Sequence, residues 1–581
     1  MKLRWLLAIA VLHFAAPARA IELKLLGEPL RLDITESLWA AYHGDLGGLI
    51  VEHDAAPPGV MGPGEAHPEN HFYDVLNRLN VDLAWRKYRL ATRFDTSLYF
   101  DTPPGSGDCS PQGQMMTPAP LRSKFCQSGY QYFWPEKFSL EYAGRSYEWT
   151  LGDFYISFGR GLVLSIRKID ELGIDTTLQG GRFVLHEGNV GAQLAVGVTN
   201  IQNIDEATGR WAPDPHDVIA AGRVEYRVLD KITIGLHEVG GVQGTNAVSA
   251  AKQHRQDAML MYGGTIDAPR ILPWLALYFE AAGQMKQQTD VRNNGYAIYG
   301  AATGYFGPAS VLVEFKHYWR FQRWASSVDP SLPEFAPIVY NAPPTAERVQ
   351  TELVSSVYDV SGPRFRVDWR INPMVLVYAS YAYFQDRAGG TPPGVAGASG
   401  EVDYHDPYAG LELRWNRGSS HLFPSGGYRI ERCANTDCVM TSPPGGEYQH
   451  IGHVEWDFAQ KLPHNFSIES QGFALFRRGE HVSVEDASGN FTYPSWVEGD
   501  AYVAFKWTPY LDFIGGVEWT TRPSQRVNEI FPNGTVQWHI TTASVIRLFV
   551  GGTRGGLKCI SGICRDFPPF TGARLEVVVR L

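Results

Sequence analysis

The sequence predicts an all-β chain, a transmembrane antiparallel up-and-down β-barrel of about 24 strands, within roughly 22 to 26. Three observations predict it: charged and apolar side chains alternate with period two along most of the chain, short connections alternate with long ones, and the last segment reads as a strand. Beyond the N-terminal leader no run of 18 or more apolar residues occurs, so membrane-spanning helices are excluded.

The alternation fixes which way each strand faces, because successive side chains of a strand point to opposite sides. Over 364–371, Arg364, Arg366, Asp368 and Arg370 share one face, with Phe365, Val367, Trp369 and Ile371 on the other. Over 313–321, Glu314, Lys316, Tyr318 and Arg320 alternate with Val313, Phe315, His317, Trp319 and Phe321. Arg223, Glu225 and Arg227 alternate with Val224, Tyr226 and Val228, and the pattern returns at Arg78, Asn80 and Asp82, at Glu412 and Arg414, and at His453, Glu455 and Asp457. A soluble sandwich also alternates. Full charges on the polar faces, with Trp, Tyr and Phe near strand ends on the apolar ones, favour a barrel with aromatic girdles at two membrane interfaces.

Tight links such as 142–145, 229–231, 306–308 and 507–510 are separated by long polar loops near 44–73, 101–135, 325–360, 387–404, 433–446 and 480–494. Short turns at one end and long loops at the other are the habit of such barrels. In the final strand Arg574, Glu576 and Arg580 oppose Leu575, Val577, Val579 and Leu581, and counting back from it places the first strand near 29–43, with both termini on the periplasmic side. Over 146–159 the alternation changes phase at Gly152-Asp153, which predicts a β-bulge. Wall side chains alone do not fill so wide a barrel, so water, inward-folded loops or a partner must occupy the lumen, with the loop over 325–360 as the expected constriction.

The first residues form an export signal, to be cleaved after Ala20: Lys2 and Arg4, an apolar run from Trp5 to Ala16, then Ala18-Arg19-Ala20. Residues 21–581 then make one barrel. The six cysteines form local pairs, Cys109 with Cys126, Cys433 with Cys438 and Cys559 with Cys564, and export favours disulfides over a metal site. The net charge of −10, or −13 once Lys2, Arg4 and Arg19 are lost, and the lack of a basic run argue against nucleic acid as a partner. Phosphate-loop, zinc-protease and nucleophile-elbow motifs are absent, and His450 and His453 fall on opposite strand faces. No catalytic residue, metal or cofactor is expected.

The stretches LGDFYISFGRGLVLSIRKIDELGIDTTLQGGRF (151–183) and RLFVGGTRGGLKCISGICRDFPPFTGARLEVVVRL (547–581) resemble an uncharacterised family of large porin-like outer-membrane proteins of Gram-negative bacteria. The resemblance implies a barrel in the outer membrane and no particular activity. The chemistry to expect is therefore that of the lumen. Arg364, Arg366, Asp368, Arg370, Glu314, Lys316, Arg320, Arg223, Glu225 and Arg227 are the expected pore lining. Such charges either bias a channel for small hydrophilic solutes toward anions and zwitterions or pair with one another across the wall. The competing expectation is a scaffold barrel around a periplasmic or lumenal protein partner, such as a multihaem cytochrome, or around a secreted polymer; lipid is the outer partner in both cases.

Overall fold

A strand with one wet and one oily face is stable in a membrane only within a closed sheet that pairs every backbone group, and the chain builds one. The computed structural model describes residues 21–43, 72–100, 131–169, 173–202, 217–242, 258–288, 291–321, 359–386, 402–433, 447–479, 484–485, 491–492, 495–522, 530–560, 563–567 and 570–580. The wall strands are β1 (Glu28–His43), β2 (Phe72–Trp85), β3 (Tyr88–Phe100), β4 (Gln131–Ala143), β5 (Tyr147–Phe154), β6 (Thr177–Glu187), β7 (Val190–Asn200) and β8 (Val218–Leu229). There follow β9 (Ile232–Val242), β10 (Ala258–Leu272), β11 (Leu275–Gln288), β12 (Val291–Phe306), β13 (Ala309–Trp319), β14 (Val360–Asn372), β15 (Val375–Asp386) and β16 (Val402–Trp415). The circuit is completed by β17 (Ser420–Leu422 continued by Ser425–Cys433), β18 (Glu447–Lys461), β19 (Phe466–Gly479), β20 (Ser495–Trp507), β21 (Leu511–Thr520), β22 (Ile530–His539), β23 (Val545–Thr553) and β24 (Phe570–Arg580).

These strands form a closed antiparallel barrel of 24. The main sheet holds 26 strands because it also counts a short strand at Ile21–Leu25 and splits β17 in two. At that split the Phe423 N–H still donates to the Asp457 carbonyl at 2.8 Å, so the ladder continues. Each wall strand pairs with its neighbour in sequence. The circle closes where β24 pairs with the upper part of β1, from Thr35 opposite Arg580 to His43 opposite Gly572. The Ile21–Leu25 strand covers the remainder of that edge, from Leu32 to Glu28, through a turn in which Leu26 and Gly27 both have positive φ.

The alternation sorts the faces as expected. Val367, Trp369 and Ile371 of β14, and Val224, Tyr226 and Val228 of β8, stand exposed on the outer wall. Aromatic rings gather outside the tight-turn end, where Trp85 meets Tyr88 at 6.3 Å and Tyr142 stacks on Trp149 at 5.9 Å. A second set lies at the long-loop end, where tyrosine hydroxyls meet histidine rings in three hydrogen-bonded pairs: Tyr296–His317 at 3.0 Å, Tyr381–His405 and Tyr428–His450 both at 2.8 Å.

Candidate functional site

The candidate site is the lumen, which the chain divides with its own connection between β5 and β6. No bulge occurs over 146–159. Instead β5 pairs in continuous register with β4 and β6 and then leaves the wall after Phe154. Gly152 permits the departure: its φ is +100°, and a Cβ there would fall 2.1 Å from the Phe138 carbonyl oxygen. Asp153 then takes over the bonding that a further ladder rung would have supplied. Its carboxylate accepts the Phe138 N–H at 2.8 Å, the Thr177 hydroxyl at 2.8 Å and the Asn200 amide at 2.7 Å.

Alternation persists as far as Phe158 and then gives way to the continuous apolar run Leu162-Val163-Leu164. Ile156, Phe158, Leu162, Val163, Leu164 and Ile166 are all buried inside the barrel, against Ala195, Ile219, Val239, Met261, Ala282 and Ala297 of the inner wall. Burying each such side chain is worth roughly 1.5–3 kcal/mol, which is ample reason for the segment to fold inward. Its turn is closed by the Phe158 N–H donating to the Leu164 carbonyl and the Gly161 N–H to the Phe158 carbonyl, both at 2.9 Å.

The tip is anchored by polar contacts. Gly159, at φ +55°, passes so near Glu280 that a Cβ would stand 2.7 Å from the carboxylate. The Arg160 N–H is shared between the Tyr278 hydroxyl and Glu280 Oε2, each at 3.0 Å. The Arg160 guanidinium donates to the Tyr299 hydroxyl at 2.9 Å and lies 4.2 Å from the Tyr278 ring centroid. From there a chain of bonds crosses the wall: Tyr299 donates to Glu314 at 2.6 Å, Arg364 donates to Glu314 at 3.1 Å, and Arg364 donates to Tyr408 at 3.0 Å.

The returning arm is held by Asp175. Its carboxylate accepts from Arg93 at 2.7 Å, from Lys137 at 2.5 Å and from the Tyr155 hydroxyl at 2.6 Å. Burial opposes the charge on Asp175, but Lys137 and Arg93 outweigh it and hold the carboxyl well below the usual carboxylate range. Arg93 is also clamped by Asp95 at 2.7 Å, and Asp95 in turn pairs with Arg78 at 3.3 Å.

Beside the segment, toward β1–β5 and β22–β24, a cavity of about 980 Å³ remains. Its lining is rich in charge, including Arg89 paired with Asp82 and Arg547 paired with Glu576, while Trp39 and Phe549 supply aromatic surface. Among the described residues the lumen thus has an apolar filling on one side and a charge-lined cavity on the other.

No family model matches the chain, and no curated protein matches it. Among solved structures, it is similar to the siderophore receptor PirA from Pseudomonas aeruginosa, with 7% identity and a TM-score of 0.46 over 95% of this chain and 80% of that one. It is also similar to a BenF-like porin from Pseudomonas fluorescens Pf-5, with 10% identity and a TM-score of 0.33 over 69% of this chain and 94% of that one. A third is OccK9 (OpdG) of Pseudomonas aeruginosa, with 11% identity and a TM-score of 0.36 over 69% and 94%.

The residues singled out from sequence fall in four places. Glu314, Lys316 and Arg364 are buried together inside the wall, with Lys316 4.6 Å from the Phe384 ring centroid. Arg366 pairs with Asp368 at 2.6 Å and covers the Tyr378 ring at 4.4 Å, and Arg223 pairs with Glu225. Arg227 and Arg370 are exposed toward the tight-turn end, whereas Arg320 lies past the end of β13 at φ +49°, over the Trp319 ring at 5.0 Å. Residues 1–20, Cys109, Cys126 and Cys438 lie outside the described residues, as does the 325–360 loop apart from its last two positions. In a small ribbon, Gly556–Ile560 against Ile563–Phe567, the register sets Cys559 opposite Cys564. Sequence reasoning missed the inward segment and its anchors Arg160, Glu280 and Asp175. The available signal was the run Gly161-Leu162-Val163-Leu164, apolar without alternation and opened by glycine.

Proposed function

We propose that the protein is an outer-membrane channel for passive diffusion of small hydrophilic solutes, exported by a cleaved leader at 1–20 and set in lipid as one barrel over 21–581. In this reading the tight turns face the periplasm and the long loops face outward. The observation that supports it best is the divided lumen: an anchored apolar segment fills one side and a charged cavity of about 980 Å³ is left on the other. Arg366 and Asp368 on β14 and Arg223 and Glu225 on β8, also proposed as pore lining, stand outside that cavity and are held as ion pairs rather than as free charges. Paired charges give a weak preference among ions, since each cation carries its own counter-charge. The reading assigns no catalysis and no cofactor, and it places the three cysteine pairs as disulfides on the outward side. A barrel that sheathes a macromolecular partner is less favoured, because the chain's own segment takes up lumen space.

Single-channel recording of the folded protein in planar bilayers tests the proposal. Stable openings are expected, with a conductance below that of an unobstructed barrel of this circumference, and Arg160→Ala should enlarge or destabilise them by freeing the tip. A correctly folded barrel that never conducts would overturn the channel reading.

A further inference from the structure

We infer that Arg93 and Lys137 form a carboxylate seat in the lumen, occupied in this structure by the chain's own Asp175 and open to exchange with a small carboxylate solute. The inference rests on the channel reading above and names a class of solute that the path would hold. Asp175 does not belong to the wall. It is carried there by the inward segment, and its two oxygens take up Arg93 at 2.7 Å, Lys137 at 2.5 Å and Tyr155 at 2.6 Å.

The seat is built independently of its occupant. Arg93 Nε and Nη2 are fixed to Asp95 at 2.9 and 2.7 Å, and Asp95 is braced from its other side by Arg78. That leaves Arg93 Nη1 directed at the seat together with the Lys137 ammonium. Taking Asp175 away would leave Asp95, Glu136 and Asp153 as the carboxylates around Arg93 and Lys137, but would strip Arg93 Nη1 and the Lys137 ammonium of the carboxylate to which both donate. Buried donors left without an acceptor are costly, so a carboxylate that restores both bonds is favoured there.

Arg93, Lys137, Tyr155 and Asp175 all line the cavity, so the seat opens onto the proposed path. A solute carboxylate presents the same pair of oxygens at the same spacing as Asp175. A dianion such as phosphate is a poorer fit, because Asp95 stands against the same guanidinium. Competition with an intramolecular carboxylate makes solute binding weak, which suits a path that must release what it holds. Gly173, at φ +60° and two residues before Asp175, gives the arm a turn through which the carboxylate is delivered.

The test is calorimetric titration of the folded, detergent-solubilised full-length protein with sodium acetate, against sodium chloride at equal ionic strength. Asp175→Asn removes the internal competitor with little change of shape, and acetate should then bind about tenfold or more tightly than to the parent. Asp175→Ala is the second variant, and Lys137→Met added to either should abolish the gain. Equal acetate affinity in parent and Asp175 variants would overturn the inference, as would a gain that survives Lys137→Met. Retention of the heat-dependent gel mobility of a closed barrel checks folding. Titration reads binding without current, so a silent bilayer would sink the channel reading while leaving this one to stand or fall on its own.

Discussion

Arg364 and Glu314 show how a charge is kept on the inner wall of a wide barrel. Both are buried, and Glu314 accepts from Tyr299 as well as from Arg364, so neither relies on lumen water. Removing one partner of a buried pair strands the other, and Arg364→Ala should cost roughly 3 kcal/mol, measured by urea unfolding from lipid vesicles. Arg364→Lys should recover only part of that, because an ammonium cannot reach Glu314 and Tyr408 with separate arms of one fork. At the segment tip, Gly159→Ala adds a methyl where only 2.7 Å is available and demands a positive φ of an L residue. The expected loss is about 1–3 kcal/mol, together with noisier or larger openings in bilayer recordings. The facing of Glu314 and Arg364 was legible in the sequence because a strand's period settles it. Their pairing was not, since it depends on the register between β13 and β14, and 40 residues of connection separate Trp319 from Val360.

At the scale of the element, the segment between β5 and β6 behaves as a small core folded inside a membrane protein. Its apolar residues pack on Ala195, Ile219 and Val239, while Arg160 tethers the tip and Asp175 the returning arm. Asp175 has its carboxyl held below the ordinary range, so its contribution is fully present above the unfolded value of about 3.9 and is lost only as pH falls through the lower folded value. Conductance and protease resistance should therefore be level from pH 7 down to about 4 and change only in stronger acid. A transition near pH 6 would show that some other group holds the arm. The element was hidden in the sequence because its first residues, Asp153 to Phe158, still alternate and so mimic a strand that has merely slipped phase. What separates the two cases is Asp153, whose bonds to Phe138, Thr177 and Asn200 stand in for a ladder, and those partners are scattered along the chain.

For the molecule as a whole, the outer wall sets the strongest constraint. Leu236 projects from the middle of β9 with 68% of its surface exposed, in the band that faces lipid. Leu236→Lys should destabilise the barrel by about 2–4 kcal/mol in bilayers and far less in detergent, as read from parallel unfolding titrations. Strand number and direction were legible because tight turns and alternation repeat faithfully. The Ile21–Leu25 strand escaped notice because its residues add no full turn of pattern before Gly27. That small strand and β24 share one edge of β1, and the arrangement dictates an order of events. All other wall pairings join strands adjacent in sequence and can zip progressively, whereas the β1–β24 pairing joins residues from opposite ends of the chain. Ring closure is thus one late step that carries the largest loop entropy in the molecule. Until it happens, half of β1's free edge is already capped by Ile21–Leu25, and the other half is the one berth into which the last strand can dock.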